Sequence, residues 1–152
     1  MKIIQLSNNP QDKIRKELIE FARNCSWQGT GGYFAELLEN NDFEESEKIF
    51  IALDKEDMIG FAALVNESCV EDAEFSPWLD FLFVDEKSRN KGTARMLVEH
   101  ILQVAESENV NGVYLCTASH ERMYEKLGFR TLYKTIINGG DECTVMKYSH
   151  EK

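Results

Sequence analysis

The feature that most constrains the fold is an almost wholly apolar segment, Trp78 to Val84, followed at once by a charged turn and an amphipathic helix. Asp80 is the only ionisable residue of this segment. A strand that is apolar on both faces is typical of a central position in a sheet, covered on either side. In the helix from Gly92 to Glu106, apolar residues recur at helical spacing with charged residues between them. The segment therefore predicts a sheet with helices packed on it.

The rest of the chain alternates in the same way between strand and helix patterns. The other predicted strands are Lys2 to Ser7, Lys48 to Leu53, Met58 to Val65, Val113 to Thr117, Phe129 to Ile137 and Cys143 to Tyr148. The other predicted helices are Gln11 to Asn24, Tyr33 to Asn40 and Ser119 to Leu127. The glycine-rich segment from Cys25 to Gly32 lacks the Lys and Ser/Thr of a P-loop and is expected to be a flexible connection. The order β-α-α-β-β-β-α-β-α-β-β predicts an α/β (α+β) fold, with a mixed sheet and helices on both faces.

Length and charge narrow the classes of protein and of partner. The chain has 152 residues, which favours a single domain over residues 1–152. Its longest apolar run, Met58 to Val65, has eight residues, whereas a membrane helix needs about 20, so no membrane span is expected. The N-terminal residues turn polar too early for a signal peptide, and the cytoplasm is the expected location. A net charge of −10 disfavours nucleic acid as a partner.

The cysteines and histidines do not form a recognisable site. Cys25, Cys69, Cys116 and Cys143 are far apart in the sequence and include no C-x-x-C pair. The three histidines show no metal-ligand spacing with them. Zinc sites and redox dithiols need closer pairs. The sequence therefore predicts reduced thiols in the core and no bound metal.

One basic island lies on this acidic chain, in the turn before the amphipathic helix. Four positive charges fall within the nine residues from Lys87 to Arg95, and no acid occurs from Lys87 to Val98. A helix N-terminus carries free amide groups and partial positive charge, which bind phosphate well. Gly92 lets the backbone approach an oxyanion closely, and Ala94 keeps the first helical turn clear. A diphosphate site is one interpretation, and a solubilising turn with a chance glycine is the other.

Two motifs make the chain resemble a known family. Arg89-x-x-Gly92-x-Ala94, after a strand that ends at Val84, is similar to the acyl-CoA pyrophosphate loop of the GNAT superfamily of N-acetyltransferases. The segment from Tyr124 to Phe129 resembles the Tyr-Glu-Lys-x-Gly-Phe segment of the same superfamily. Together with the order of elements, the resemblance covers nearly the whole chain. It implies a GNAT-like acyl-CoA N-acyltransferase fold, with acetyl-CoA as the cosubstrate and no metal.

The resemblance also implies how acetyl-CoA is held. The fourth and fifth strands, Trp78 to Val84 and Val113 to Thr117, would splay apart and take the pantetheine arm between them, much as a sheet takes an added strand. A strand amide near Leu82 would polarise the thioester carbonyl. Thr117 stands where many members carry Asn, and its hydroxyl would bond to the cofactor. The cofactor-binding residues carried over in this way are Leu82, Phe83, Val84, Arg89, Asn90, Lys91, Gly92, Thr93, Ala94 and Thr117.

The implied reaction moves an acetyl group from acetyl-CoA to a primary amine of a small molecule or peptide, by direct attack in a ternary complex. The amine must first lose a proton, because an alkylammonium of pKa about 10 has no lone pair. Tyr124 matches the family's tyrosine near the CoA sulfur and would protonate the departing thiolate. Asp80 is the leading candidate for the base, because apolar surroundings raise the pKa of a carboxylate. His120 and a water chain leading to bulk solvent are the alternatives.

The identity of the acceptor is not encoded in a recognisable motif. The family builds its substrate pocket from the loop between the first two helices and from the final hairpin, and Trp27 and Tyr33 lie in the first of these regions. An acidic chain favours cationic amines. A non-catalytic acyl-CoA binding module and an N-acyltransferase with a longer acyl donor are the alternative functions. A homodimer is one of the oligomeric states left open.

Overall fold

The computed structural model describes residues 1–70, 73–137 and 140–150. Its strands are β1 (Lys2–Gln5), β2 (Lys48–Asp54), β3 (Asp57–Val65), β4 (Trp78–Val84), β5 (Gly112–Thr117), β6 (Arg130–Ile136) and β7 (Glu142–Ser149). Its helices are α1 (Lys13–Asn24), α2 (Thr30–Glu39), α3 (Thr93–Ser107) and α4 (Glu121–Lys126). The predicted order of strands and helices is confirmed. Within these residues, none of the helices is long and apolar enough to span a bilayer.

The seven strands of the described residues form one mixed sheet, in the order β1-β2-β3-β4-β5-β7-β6. β4 is the central strand, as its apolar sequence predicts. It pairs in parallel with β5 at Trp78 opposite Tyr114. β7 pairs antiparallel with both β5 and β6. The expected mixed sheet of an α/β fold is therefore confirmed.

Packing gathers the chain into two compact units. The first comprises Met1–Ala63 and Phe81–Leu97, and the second comprises Leu64–Asp80 and Val98–Lys152. The largest buried side chains of the first unit are Leu18, Phe34, Leu38, Phe50, Ile51, Phe61 and Leu97. Those of the second unit are Trp78, Val98, Ile101, Leu115 and Met146. The expectation of one domain over residues 1–152 stays a prediction.

The glycine-rich segment from Cys25 to Gly32 is not throughout the flexible connection that its composition predicts, because its last three residues, Thr30 to Gly32, belong to the first turn of α2. The helix begins at Thr30 rather than Tyr33. Gly31 is buried against α1, and a Cβ on it would lie 2.5 Å from the Ala22 carbonyl oxygen. Only glycine permits so close an approach. The glycine therefore serves helix packing rather than mobility.

The expectation of reduced thiols is wrong for two of the four cysteines. Cys116 of β5 and Cys143 of β7 form a disulfide, with Cα atoms 6.1 Å apart. They are separated by 27 positions in the sequence, but β5 and β7 are neighbours in the sheet, with Thr117 opposite Thr144. The pair is created by strand register, which cysteine spacing does not reveal. Cys25 and Cys69 are free, as predicted, but neither lies in the core, because Cys25 is half-buried and Cys69 is exposed.

Candidate active site

The turn between β4 and α3 forms a cradle for an anion. Asn90 and Gly92 have left-handed backbone, with φ of 63° and 82°. The chain enters α3 at Thr93, and the first amides of a helix have no partner within it. A Cβ on Gly92 would meet no atom within 4 Å, so a ligand has room beside this residue. The sequence of this first turn, Thr93-Ala94-Arg95, contains no acid that would repel an anion.

Arg89 and Thr93 hold this turn in place. The Nε of Arg89 donates to the Val84 carbonyl oxygen at 2.9 Å, and its guanidinium carbon lies 5.6 Å from the centroid of the Phe83 ring. The buried hydroxyl of Thr93 donates to the Ser88 carbonyl oxygen at 3.4 Å. Arg89 remains exposed, so its terminal nitrogens can also reach a bound anion. The turn therefore offers free backbone amides and positive charge, which are the groups that bind an anion.

Phe81 interrupts β4 at its midpoint with a left-handed φ of 55°. Such a backbone is rare for a bulky residue and concentrates at functional sites. It breaks the alternation of the strand and re-aims the neighbouring peptide groups, as a bulge does. Leu82 is half-buried, whereas Phe83 is buried and its carbonyl oxygen lies 2.6 Å from where a Cβ on Gly60 would be.

The two residues predicted to contact the acceptor lie against aromatic side chains of β4. Trp27 stacks on Phe83, with ring planes 14° apart and centroids 6.2 Å apart. The Tyr33 ring centroid lies 6.2 Å from that of Phe81. Tyr33 is 57% exposed and Trp27 is half-buried. This difference favours Tyr33 for contact with a ligand. Sequence reasoning missed Phe81, because an apolar strand residue carries no sign of a left-handed backbone.

The second unit brings together Asp80 and Tyr124, the residues predicted to be base and acid. Tyr124 is buried, with 9% of its surface exposed. Burial in the first place, and the negative charge of Asp80 in the second, raise the pKa of Tyr124 to about 12. The phenol therefore keeps its proton throughout the neutral range. That protonation state is the one a general acid requires.

The charge of Asp80 also acts on the Cys69 thiol, in the loop before β4. Burial and then the charge of Asp80 raise the pKa of Cys69. The thiol is therefore protonated near neutral pH and is a poor nucleophile. Among the residues that the structure describes, no group of three or more His, Cys, Asp or Glu is arranged to hold a metal ion.

Two threonine hydroxyls hold the N-terminal end of α4, the helix that carries the tyrosine. Thr117 accepts a hydrogen bond from the His120 amide at 3.1 Å, and Thr144 donates to a carboxylate oxygen of Glu121 at 3.2 Å. Both threonines are buried. Thr117 keeps its hydroxyl proton for a further bond, such as the predicted one to the cofactor. His120, the alternative base, is exposed, and its Nδ1 lies 3.3 Å from the Ser119 hydroxyl.

The C-terminal end of α4 closes in a Schellman motif. The Phe129 amide donates to the Tyr124 carbonyl oxygen and the Gly128 amide to that of Glu125, both at 3.0 Å. Gly128 has a φ of 102°, and a Cβ on it would lie 2.8 Å from the Tyr148 ring. Two constraints therefore require glycine at position 128: the positive φ of its backbone and the close packing of the Tyr148 ring.

The comparisons with known proteins show the family of this chain. A profile of the acetyltransferase (GNAT) family matches residues 13–129. The chain belongs to the GNAT acetyltransferase family. A comparison of the sequence with curated proteins finds no match.

Solved structures of GNAT proteins share the fold of this chain. An aminoglycoside 6′-N-acetyltransferase complexed with coenzyme A is 19% identical with a TM-score of 0.76, covering 98% of this chain and 97% of that one. The aminoglycoside 6′-N-acetyltransferase from Enterococcus faecium is 20% identical with a TM-score of 0.74 and the same coverage. An acyl-CoA N-acyltransferase from Pseudomonas aeruginosa is 15% identical with a TM-score of 0.71, covering 97% and 99%. The family and the GNAT fold that the two sequence motifs predict are therefore confirmed.

Proposed function

We propose that this GNAT protein is an acetyl-CoA-dependent N-acetyltransferase that acetylates a primary amine of a small molecule or peptide. The observation that carries the proposal is the placement of Tyr124, a buried phenol on a short helix whose N-terminal end is held by the hydroxyls of Thr117 and Thr144. It occupies the position of the family's tyrosine near the CoA sulfur. A module that only binds acyl-CoA has no use for a proton donor there, so the phenol favours an enzyme.

Acetyl-CoA binds, in this proposal, with its diphosphate on the amides from Asn90 to Ala94. The open space beside Gly92 and the exposed charge of Arg89 support this assignment. A helix N-terminus adds partial positive charge without a side chain. The backbone of Leu82 to Val84 takes the pantetheine arm as an added strand. An amide near Leu82, re-aimed by the left-handed Phe81, stabilises the oxyanion.

The proposed reaction proceeds by direct attack in a ternary complex. Asp80 accepts a proton from the acceptor ammonium, directly or through water, and the freed nitrogen attacks the thioester carbonyl carbon. The tetrahedral oxyanion collapses, the C–S bond breaks and CoA departs as a thiolate. Tyr124 protonates the sulfur and regains its proton from the nitrogen of the new amide, which sheds its second proton at this point. His120 is the alternative base.

A cationic acceptor is the substrate class that this protein favours. Its net charge of −10 attracts cations. The exposed ring of Tyr33 offers a face for a cation–π contact. Two proteins of the same fold are named as aminoglycoside 6′-N-acetyltransferases. Aminoglycosides and polyamines are therefore the first acceptors to test.

The test combines two measurements on one preparation. Calorimetric titration with acetyl-CoA measures binding, and release of CoA across a panel of aminoglycosides, polyamines and peptide amines measures turnover. We expect both binding and turnover. Binding without turnover on any amine would favour the acyl-CoA binding module. Turnover confined to longer acyl-CoA donors would favour the other N-acyltransferase.

A further inference from the structure

The Cys116–Cys143 disulfide lies directly beside the residues that hold α4. Cys116 precedes Thr117, and Cys143 precedes Thr144. These two threonines are opposite each other in the register of β5 and β7. They are also the residues whose hydroxyls bond to the N-terminal end of α4. The covalent bond and the hydrogen bonds to the helix thus come from adjacent positions on the same two strands.

The bond joins the two strands at their ends, where a sheet opens most readily. Thr117 is the last residue of β5, and Cys143 is the second residue of β7. Strand ends open locally at a lower free energy than strand centres. A covalent link at this point keeps the two threonines together and so holds the start of α4 in one place.

Tyr124 lies one helical turn from this anchor. Its amide donates to the carbonyl oxygen of His120 at 3.3 Å, and the amide of His120 is the group that Thr117 holds. A shift at the first residue of so short a helix is therefore passed to the phenol. Proton donation requires the donor within hydrogen-bond reach of the leaving sulfur, and a displacement of about 1 Å can cost about 100-fold in rate.

We propose that the Cys116–Cys143 disulfide positions Tyr124 through Thr117 and Thr144, and that its reduction by a dithiol slows acetyl transfer. In this reduction the S–S bond breaks, each sulfur gains one electron and one proton, and the dithiol is oxidised to its own disulfide. Cys116 is half-buried and Cys143 is buried, so a small dithiol must reach the bond from the side of Cys116. The proposal rests on the proposed role of Tyr124 as proton donor.

A count of thiols tests the bond itself. Protein purified in air without added thiol, then unfolded without reductant, should expose two reactive thiols, those of Cys25 and Cys69. After treatment with dithiothreitol it should expose all four. Four reactive thiols in the oxidised sample would overturn the proposal.

The rate of acetyl transfer tests the positioning role. The oxidised and dithiothreitol-reduced proteins are compared in single-turnover reactions, with the amine of the panel that reacts fastest. Reduction should lower the rate by about 10-fold or more and weaken the binding of acetyl-CoA far less, since the proposed diphosphate contacts come from the turn between β4 and α3 and only the proposed Thr117 contact lies beside the disulfide. The Cys116→Ser/Cys143→Ser variant should have the single-turnover rate of the reduced protein, and dithiothreitol should not change that rate.

Two further variants separate positioning from a general loss of structure. In Tyr124→Phe, reduction of the disulfide should cause no additional loss of rate, because the hydroxyl that reduction would displace is absent. A further loss there would show a merely structural effect and overturn the proposal. Cys25→Ser/Cys69→Ser should keep its response to dithiothreitol. Loss of that response would assign the effect to the free thiols instead.

A readout that needs no acceptor completes the test. The phenol of Tyr124 is titrated by absorbance, with Tyr124→Phe as the blank. The oxidised protein should give a pKa of about 12 for this phenol. After reduction the pKa should be lower, because a loosened α4 exposes the side chain to water. The role of the disulfide would be overturned by equal pKa values of Tyr124 in the oxidised and reduced proteins. Equal single-turnover rates of these two proteins would also overturn it, provided that Tyr124→Phe is slow. Either result would leave the proposed function intact. A Tyr124→Phe variant as fast as the wild type would instead remove the proton donor from the proposed function.

Discussion

The anion cradle and the helix that carries Tyr124 are held in place in different ways. The anion cradle from Arg89 to Ala94 is formed by one short stretch of backbone, with a left-handed Gly92 leading into α3. The helix that carries Tyr124 is held by side chains from separate strands, Thr117 and Thr144. A surface of backbone amides needs only local turns to form. A proton donor must instead hold one side chain in one position, and that requires contacts from distant parts of the chain.

This difference implies that cofactor binding and proton donation can be damaged separately. Changes in the cradle should lower the affinity for acetyl-CoA. Changes within α4 should lower the rate of the chemical step and spare the affinity. A variant in either region that loses both the affinity for acetyl-CoA and the rate of the chemical step would contradict this separation of the two roles.

The largest effect is expected from Gly92→Glu. A side chain at a φ of 82° is strained, and its charge would stand where the diphosphate is proposed to lie. Because a like-charge contact costs several kcal/mol, we expect the affinity for acetyl-CoA to fall by about 100-fold or more. Calorimetry measures this loss directly, and the thermal stabilisation by acetyl-CoA should disappear with it.

Gly140→Glu is the matched control for that experiment. Gly140 has a φ of 89° and, like Gly92, open space where a Cβ would be. The control should carry the same backbone strain and keep its affinity for acetyl-CoA. An unchanged affinity in Gly92→Glu would mean that the cofactor binds elsewhere.

The next largest effect is expected from Tyr124→Phe, which removes the hydroxyl and keeps the ring. General acid catalysis is worth roughly 100- to 10,000-fold. A CoA thiol of pKa near about 8.5 leaves tolerably without help, so we expect the lower end of this range, about 100-fold in the single-turnover rate. Steady-state rates could hide the loss if product release is slow. The dissociation constant of acetyl-CoA should not change, and a wild-type rate would leave Tyr124 a packing residue.

The smallest effect is expected on the free energy of unfolding at alkaline pH, and it tests the burial of Tyr124 on α4. The folded protein raises the pKa of Tyr124 from 10.0 to about 12, so the unfolded chain releases this proton first as the pH rises. The stabilising contribution is therefore complete below about pH 10 and is lost as the pH rises towards 12, by about 1.4 kcal/mol for each pH unit at most.

Urea unfolding of the wild type and of Tyr124→Phe, at several pH values between about 9 and about 11, measures this loss. The wild type should lose stability faster than the variant above about pH 10. Parallel curves would show that the phenol ionises as easily in the folded protein as in the unfolded chain.

Much of the fold and of the cradle could be predicted because the signals are local. The apolar run of β4 and the helical periodicity of α3 each lie within one stretch of sequence, and the turn between them contains its own glycine. The Gly128 that ends α4 is likewise a residue of its own motif. Such patterns depend on backbone conformations that a few adjacent residues determine.

The sequence-based predictions were wrong where a residue contacts a partner that is distant in the sequence. The glycine-rich segment was expected to be flexible, but Gly31 is required by the close approach of α2 to Ala22 of α1. Cys116 and Cys143 were expected to be reduced, but the register of β5 with β7 brings them together. In both cases the residue type is visible in the sequence and its partner is not.

By itself, the sequence determined the family of this protein and its order of strands and helices, since the loop from Arg89 to Ala94 and the segment from Tyr124 to Phe129 are contiguous. Only the tertiary structure decided that the charge of Asp80 acts on Tyr124 and that two strands hold α4 beside a disulfide. The physical reason is that electrostatic and covalent contacts depend on distance in space. Residues far apart in the chain reach that distance only when the sheet register and helix packing are complete.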